Sequence, residues 1–303
     1  MEKNIMKGKE KLQLALTHKS GPVPIDFGAT AATGIHCSVV EKLRDIYGLE
    51  NRPVTIHEPN QMLGQIDEDL IDAMGIDIVG IMPRKTLFGF TLDSWKEWIT
   101  PWGQEVLVPG NFMVRKKSNG FFIYPEGDTS APPSGHLPQG GYFFDSIIRQ
   151  MPFNEDDLDP QDNLEEFELF SEDDLVYYKN SCLDAERTGK GVIANFGGTA
   201  FGDIALIPAP GLKHPKGIRD ITEWYISTVS RREYVHEVFK SQVKIALQNL
   251  ETVFSVVGNI PDAVYICGTD FGTQTSQFCS QDTFDTLYKP YYQQVNDWIH
   301  THT

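Results

Sequence analysis

No stretch of this 303-residue chain reaches 18 consecutive apolar residues, the length at which a membrane-crossing helix becomes a candidate. Charges are scattered through Met1–Ser20 with no apolar core between them, so the sequence offers no secretory signal. Cations are scarce: 26 Lys and Arg stand against 42 Asp and Glu, a net charge of −16. Phosphate binding needs clustered Lys and Arg, which excludes nucleic acid as a partner. The one basic concentration, Lys3 to Lys11, reads as a solvated leader. The four cysteines (Cys37, Cys182, Cys267, Cys279) include no Cys-x-x-Cys pair and read as reduced thiols, mostly core filling, in a cytoplasmic protein. His57, His136, His214 and His236 stand apart from one another and from any cysteine at ligand spacing, so no metal ligand is assigned.

What the chain does have is a repeated phrase. Asp26-Phe27-Gly28-Ala29-Thr30, Asn195-Phe196-Gly197-Gly198-Thr199 and Asp270-Phe271-Gly272-Thr273 each follow an apolar run. Those runs, Val23–Phe27, Val192–Phe196 and Ala263–Cys267, read as buried strands, and Ile76–Met82 reads as another. Helices are expected at about 36–47, 65–74, 221–228 and 232–257. A further helix should open at the Ser171–Asp174 capping box and run to Arg187. Ser280 should cap the last helix, with a kink at Pro290. Gly48, Gly75 and Gly189 fall where helices should close. Residues 87–141 read as a hairpin and loop insert containing Trp95, Trp98 and Trp102. Residues 152–174, rich in carboxylates, read as an acidic surface excursion.

No two core strands are joined by a hairpin, so the pattern calls for a parallel sheet with helical crossovers. The expected fold class is α/β, of the TIM (β/α)8-barrel type. About four core parallel strands can be counted where a closed barrel needs eight. The chain is therefore expected to form a single, incomplete barrel domain over 1–303, with the antiparallel insert attached. A four-stranded remnant would leave sheet edges open, which would favour a homodimer.

The order of phrases resembles the uroporphyrinogen decarboxylase superfamily, which includes cobalamin-dependent methyltransferases. The resemblance rests on Gly21-Pro22-Val23-Pro24-Ile25-Asp26-Phe27-Gly28-Ala29-Thr30, on Gly75-Ile76-Asp77-Ile78-Val79, and on Gly268-Thr269-Asp270-Phe271-Gly272-Thr273-Gln274 followed by Phe284 and Tyr288-Lys289-Pro290-Tyr291-Tyr292. It covers nearly the whole chain. Decarboxylases of that superfamily carry an arginine-rich phrase after the first strand and an aspartate after the second. Here those places read Phe27–Ala32 and Ile81-Met82-Pro83-Arg84, with neither group. The methyltransferase branch is the closer match, and it implies a corrinoid (methylcobalamin) co-substrate, presented by a corrinoid protein, and a thiol-type acceptor. It also implies a zinc ion whose His-x-Cys and Cys ligands are expected beyond Thr303; His300-Thr301-His302 is no substitute. Decarboxylation of a tetrapyrrole and a non-catalytic fragment or binding module remain the alternatives.

Strand ends are where a barrel keeps its chemistry. Asp26 and Asp270 are the candidate acid–base residues. Thr30, Arg84, Asn195, Gly197, Thr199, Phe271 and Gln274 are the candidate substrate contacts, Arg84 pairing either with an anionic substrate or with Asp26. The Asp-Phe-Gly phrase also occurs in protein kinases, but no Gly-rich phosphate loop or His-Arg-Asp phrase accompanies it here.

Overall fold

The computed structural model describes residues 6–302. Its parallel sheet has three strands, Ile78–Ile81, Gly191–Ala194 and Ala263–Val264, with Gly191–Ala194 in the middle. Helix Glu172–Arg187 leads into the middle strand and Arg232–Val257 into the last. The capping box forms as expected: Ser171 N–H donates to the Asp174 carboxylate, and Asp174 N–H donates to Ser171 Oγ. Gly75 and Gly189 take positive φ where their helices stop, which a residue with a Cβ resists. Val79, Ile81, Val192 and Ala194 turn toward the helices, meeting Tyr178, Trp224, Phe239 and Leu250 in the larger core. Ile78 and Ile193 face the other way, under Leu12 and Ala29.

The basic leader is a docked helix from Gly8 to Leu16, with Gly8 and Leu12 buried; residues 1–5 lie outside the described residues. Lys11 pairs with Asp77 at 2.7 Å and Lys9 with Asp262 at 3.2 Å. Those aspartates immediately precede two of the parallel strands, so this helix closes the N-terminal end of the sheet.

Val23–Phe27 is not a strand. Pro22 and Pro24 have no N–H to contribute to a ladder, and Val23 is 82% exposed. The segment is held by Asp77 N–H donating to the Ile25 carbonyl and Ile25 N–H donating to the Asp77 carboxylate. It then carries the Ala29 backbone across the sheet face at Gly80. The parallel sheet therefore has three strands rather than four, and the described residues form no closed barrel.

The insert belongs to a larger β unit than 87–141. Trp95–Ile99 pairs antiparallel with Glu105–Pro109, which runs parallel to Val54–Glu58, a strand the sequence pattern did not mark. Val114–Lys117, Gly120–Ile123, Gly135–Pro138 and Asp145–Ser146 form a second sheet, wholly antiparallel, so the loop part of the insert holds a strand too. Ile56, Phe88, Phe90, Val106 and Phe144 fill this unit's own core. Trp98 packs on Phe112 and Phe121, and Trp102 on His36 and Tyr142. Trp98 and Trp102 thus pack within the unit, while Trp95 is 39% exposed.

His57, on Val54–Glu58, has a buried Nε2 with no partner, and burial lowers its pKa to about 4. The ring is thus neutral in the fold, while in the unfolded chain it gains a proton below about 6.5. Its contribution to stability is complete above pH 6.5 and drains away as pH falls through that value toward 4. Urea unfolding of wild type and His57→Phe should show wild type losing about 2–3 kcal/mol relative to the variant over that window. A difference that does not change with pH would contradict this.

The acidic excursion is more than solvated surface. Asn163 and Leu164 are buried, Glu155 pairs with Arg231, and Glu166 pairs with Arg219. At the C-terminus Ser280 caps as expected. The Pro290 irregularity takes the form of a π turn, Phe284–Tyr288, ahead of helix Lys289–His302. No described helix is long and apolar enough to cross a membrane.

Candidate functional site

With its N-terminal end closed, the parallel sheet offers its C-terminal end for chemistry. Asn195 N–H continues the ladder by donating to the Ile81 carbonyl, and the chain then turns sharply. Gly197 and Gly198 both adopt positive φ, and Gly197 N–H donates to Asn195 Oδ1. Thr199 is buried, and its hydroxyl donates to the Ile266 carbonyl. The second repeated phrase is thereby tied to the strand leading into the third. Phe271 inserts among Phe284, Tyr288 and Tyr292. Asn195, Gly197, Thr199, Asp270 and Phe271 thus share one rim.

The other candidates are placed differently. Asp26 accepts the Ala29 N–H, and Thr30, buried, bonds with Thr33, so the first phrase closes on itself over the sheet face. Arg84 does not meet Asp26. It pairs with Asp174 at 3.2 Å, Asp93 at 3.4 Å and Asp173 at 3.6 Å, all supplied by the chain itself. Gln274 is exposed in a turn closed by Thr273 N–H donating to the Ser276 carbonyl.

Asp203 was not among the residues singled out by sequence. It lies eight residues beyond Asn195 and follows Phe201-Gly202, another Phe-Gly pair, and that was the signal available. Gly202 is required there because a Cβ would strike the Phe239 and Tyr288 rings. Burial first, and then the charge of Asp270, push the Asp203 carboxyl above the usual range, while the Ala205 N–H bound to Oδ1 pulls it down. Tyr225 and Tyr265 lie in the same field. Burial raises both hydroxyls, assisted by Asp270, Cys279 and Asp203 for Tyr225, and by Cys267, Asp203 and Asp270 for Tyr265. Both therefore remain neutral hydrogen-bond donors at ordinary pH. The Tyr225 hydroxyl is buried with no partner, and its ring stacks on Phe278 at 5.4 Å.

The rim thus combines a carboxyl of raised proton affinity, a second carboxylate on exposed Asp270, two phenols and two half-buried thiols, Cys267 and Cys279. Cys37 and Cys182, with thiols pushed up by burial to about 12 and about 11, are inert core residues. Among the described residues no three His, Cys, Asp or Glu side chains gather as a metal-ligand set. An open hollow of about 580 Å3 beside Met6, Lys9 and Gln13 lies at the closed end, and Glu10 is the one carboxylate in its lining, with no phenol or thiol. Comparison with protein-family profiles, with curated proteins and with solved structures gives no match.

Proposed function

We propose that this chain is a methyl-transfer enzyme of the uroporphyrinogen decarboxylase-like kind, working in a reducing, cytoplasmic setting. It would pass a methyl group from a corrinoid, presented by a partner protein, to a thiol-type acceptor at the C-terminal rim. The observation that carries this reading is the convergence of Asp203, Asp270, Tyr225 and Tyr265 beside the Asn195–Thr199 turn, while the opposite end is closed by ion pairs. An acceptor thiol must lose its proton to become a nucleophile. Asp203, ionised but with a raised affinity for protons, is suited to take it. Tyr225 and Tyr265 would orient the acceptor, and Asp270 keeps the proton on Asp203 once transferred. Zinc chemistry is not invoked, because the described residues supply no fitting ligand set. Ile226 and Val229 are exposed on the helix that carries Tyr225, giving an apolar margin on which a corrinoid protein could seat.

A tetrapyrrole decarboxylase needs cations for its substrate's carboxylates. Arg84, the cation expected to serve, is already engaged by three aspartates, which weighs against that alternative. The test is incubation with methylcobalamin and a small thiol, following the corrinoid's visible spectrum. Demethylation is expected, and Asp203→Asn should slow it about a hundredfold, the lower end of the general-base range. An unchanged spectrum, together with carbon dioxide release from uroporphyrinogen, would replace this reading with the decarboxylase one.

A further inference from the structure

Behind the rim lies a small cavity bounded by Ala200, Gly202, Asp203, Glu166, Trp224 and Gln242, with a volume of about 10 Å3. That is the room one water molecule needs. Two of its walls are nearly inaccessible side chains, Trp224 at 1% exposure and Gln242 at 5%. Each carries a polar atom with no protein partner, the indole Nε1 of Trp224 and the amide Oε1 of Gln242. The Tyr288 hydroxyl lies close enough to the indole for the N–H to influence it, but outside hydrogen-bonding geometry. An unmet buried donor or acceptor is costly, and the two side chains that carry one of each line the same hollow.

We propose that this cavity is a specific site for one water molecule, accepting from Trp224 Nε1–H and donating to Gln242 Oε1 and to the Asp203 carboxylate. Water is the ligand that fits. An ammonium ion cannot accept from the indole, a larger molecule exceeds the volume, and only an apolar cavity would stay dry. The water would orient Asp203 from behind while its front faces the rim. A donor to the carboxylate favours the ionised form, opposing burial and Asp270. The other groups facing Asp203 are Tyr225 from its helix, Tyr265 just beyond the last strand, Tyr292 from the C-terminal helix and Glu166 across the cavity. Only the use of Asp203 in proton transfer rests on the functional reading above; the water site does not.

The experiment uses the full chain labelled with 15N-tryptophan and records rotating-frame cross-peaks between water and the indole Hε1 protons. Trp224 is assigned from Trp224→Phe, or by elimination from the four other Trp→Phe variants if that chain does not fold. A Trp224–water cross-peak is expected in wild type. In Gln242→Leu it should disappear, and the Asp203 carboxyl midpoint, followed by 13C NMR, should rise by about half to one pH unit. Absence of the wild-type cross-peak, or its persistence with an unmoved midpoint in folded Gln242→Leu, would overturn the proposal. No methyl-transfer activity is read, so either idea can fail without the other.

Discussion

Replacing Arg219 with Met should destabilise the chain by about 2–4 kcal/mol, from the loss of the bonds that its buried guanidinium makes to one carboxylate and two carbonyls. Arg219 is 1% exposed. Its guanidinium donates to both Glu166 carboxylate oxygens, at 2.7 and 3.1 Å, and to the carbonyls of Asp162 and Lys216. Glu166 is itself pulled toward protonation by burial and toward ionisation by Arg219. Without the cation, the Glu166 carboxyl, whose side chain is 25% exposed, has only water and neighbouring carboxylates to face, and two carbonyls lose their donor. Met fills much of the volume, so packing loss is the smaller part. The diagnostic comparison is Arg219→Met combined with Glu166→Leu. Removing both charges eliminates the orphan, and at least half of the lost stability should return in urea unfolding. A single-variant loss below about 1 kcal/mol would mean that water replaces the guanidinium's bonds at little cost and that the acidic segment does not anchor the 216–220 loop.

That segment shows where sequence reading stops. Eleven carboxylates with no cation between 154 and 174 describe a solvated surface by composition alone. What draws Glu166 inward is an arginine 53 residues later, and no local pattern announces such a partner. The same limit hid Val54–Glu58. Its run is short, and its parallel partner Glu105–Pro109 lies some fifty residues on, so no hairpin signal exists. Features encoded within a few residues were legible: the Ser171–Asp174 box, the closing glycines and the apolar runs at 78, 191 and 263. At Val23–Phe27 the apolar residues Val23, Ile25 and Phe27 have strand spacing, but Pro22 and Pro24 lack the N–H that a ladder needs. At the rim, the Asn195 and Asp270 phrases were visible as strand-end loops. Asp203, Tyr225 and Tyr265 become a group only when three separate elements pack together.

Gly80→Ala should be the most damaging single-methyl change in the sheet, at about 3–4 kcal/mol, the upper end and beyond of typical overpacking costs. Space is the reason, not backbone conformation, since Gly80 has no positive φ. A Cβ built there would lie 1.9 Å from the Ala29 carbonyl oxygen and 2.5 Å from its carbon. Both belong to the backbone, so no side-chain rotation can relieve the clash. Either the strand bows away from Gly191–Ala194 or the 25–30 segment lifts off the sheet face, exposing Ala29, Ile78 and Leu12. Gly75→Ala is the informative contrast. Gly75 sits at φ 69° with open space around its Cβ position, so that change should cost only the left-handed penalty of about 1–2 kcal/mol. If the segment lifts, amide exchange in Gly80→Ala should accelerate at Ile25, whose N–H donates to Asp77, and at Gly28, whose N–H donates to the Thr33 carbonyl. The Asn195–Thr199 turn, held from the other side by Ile266, should stay protected. Equal losses for the two glycine variants, or faster exchange at 195–199 in place of 25–30, would show that the first repeated phrase does not lean on the sheet at this point.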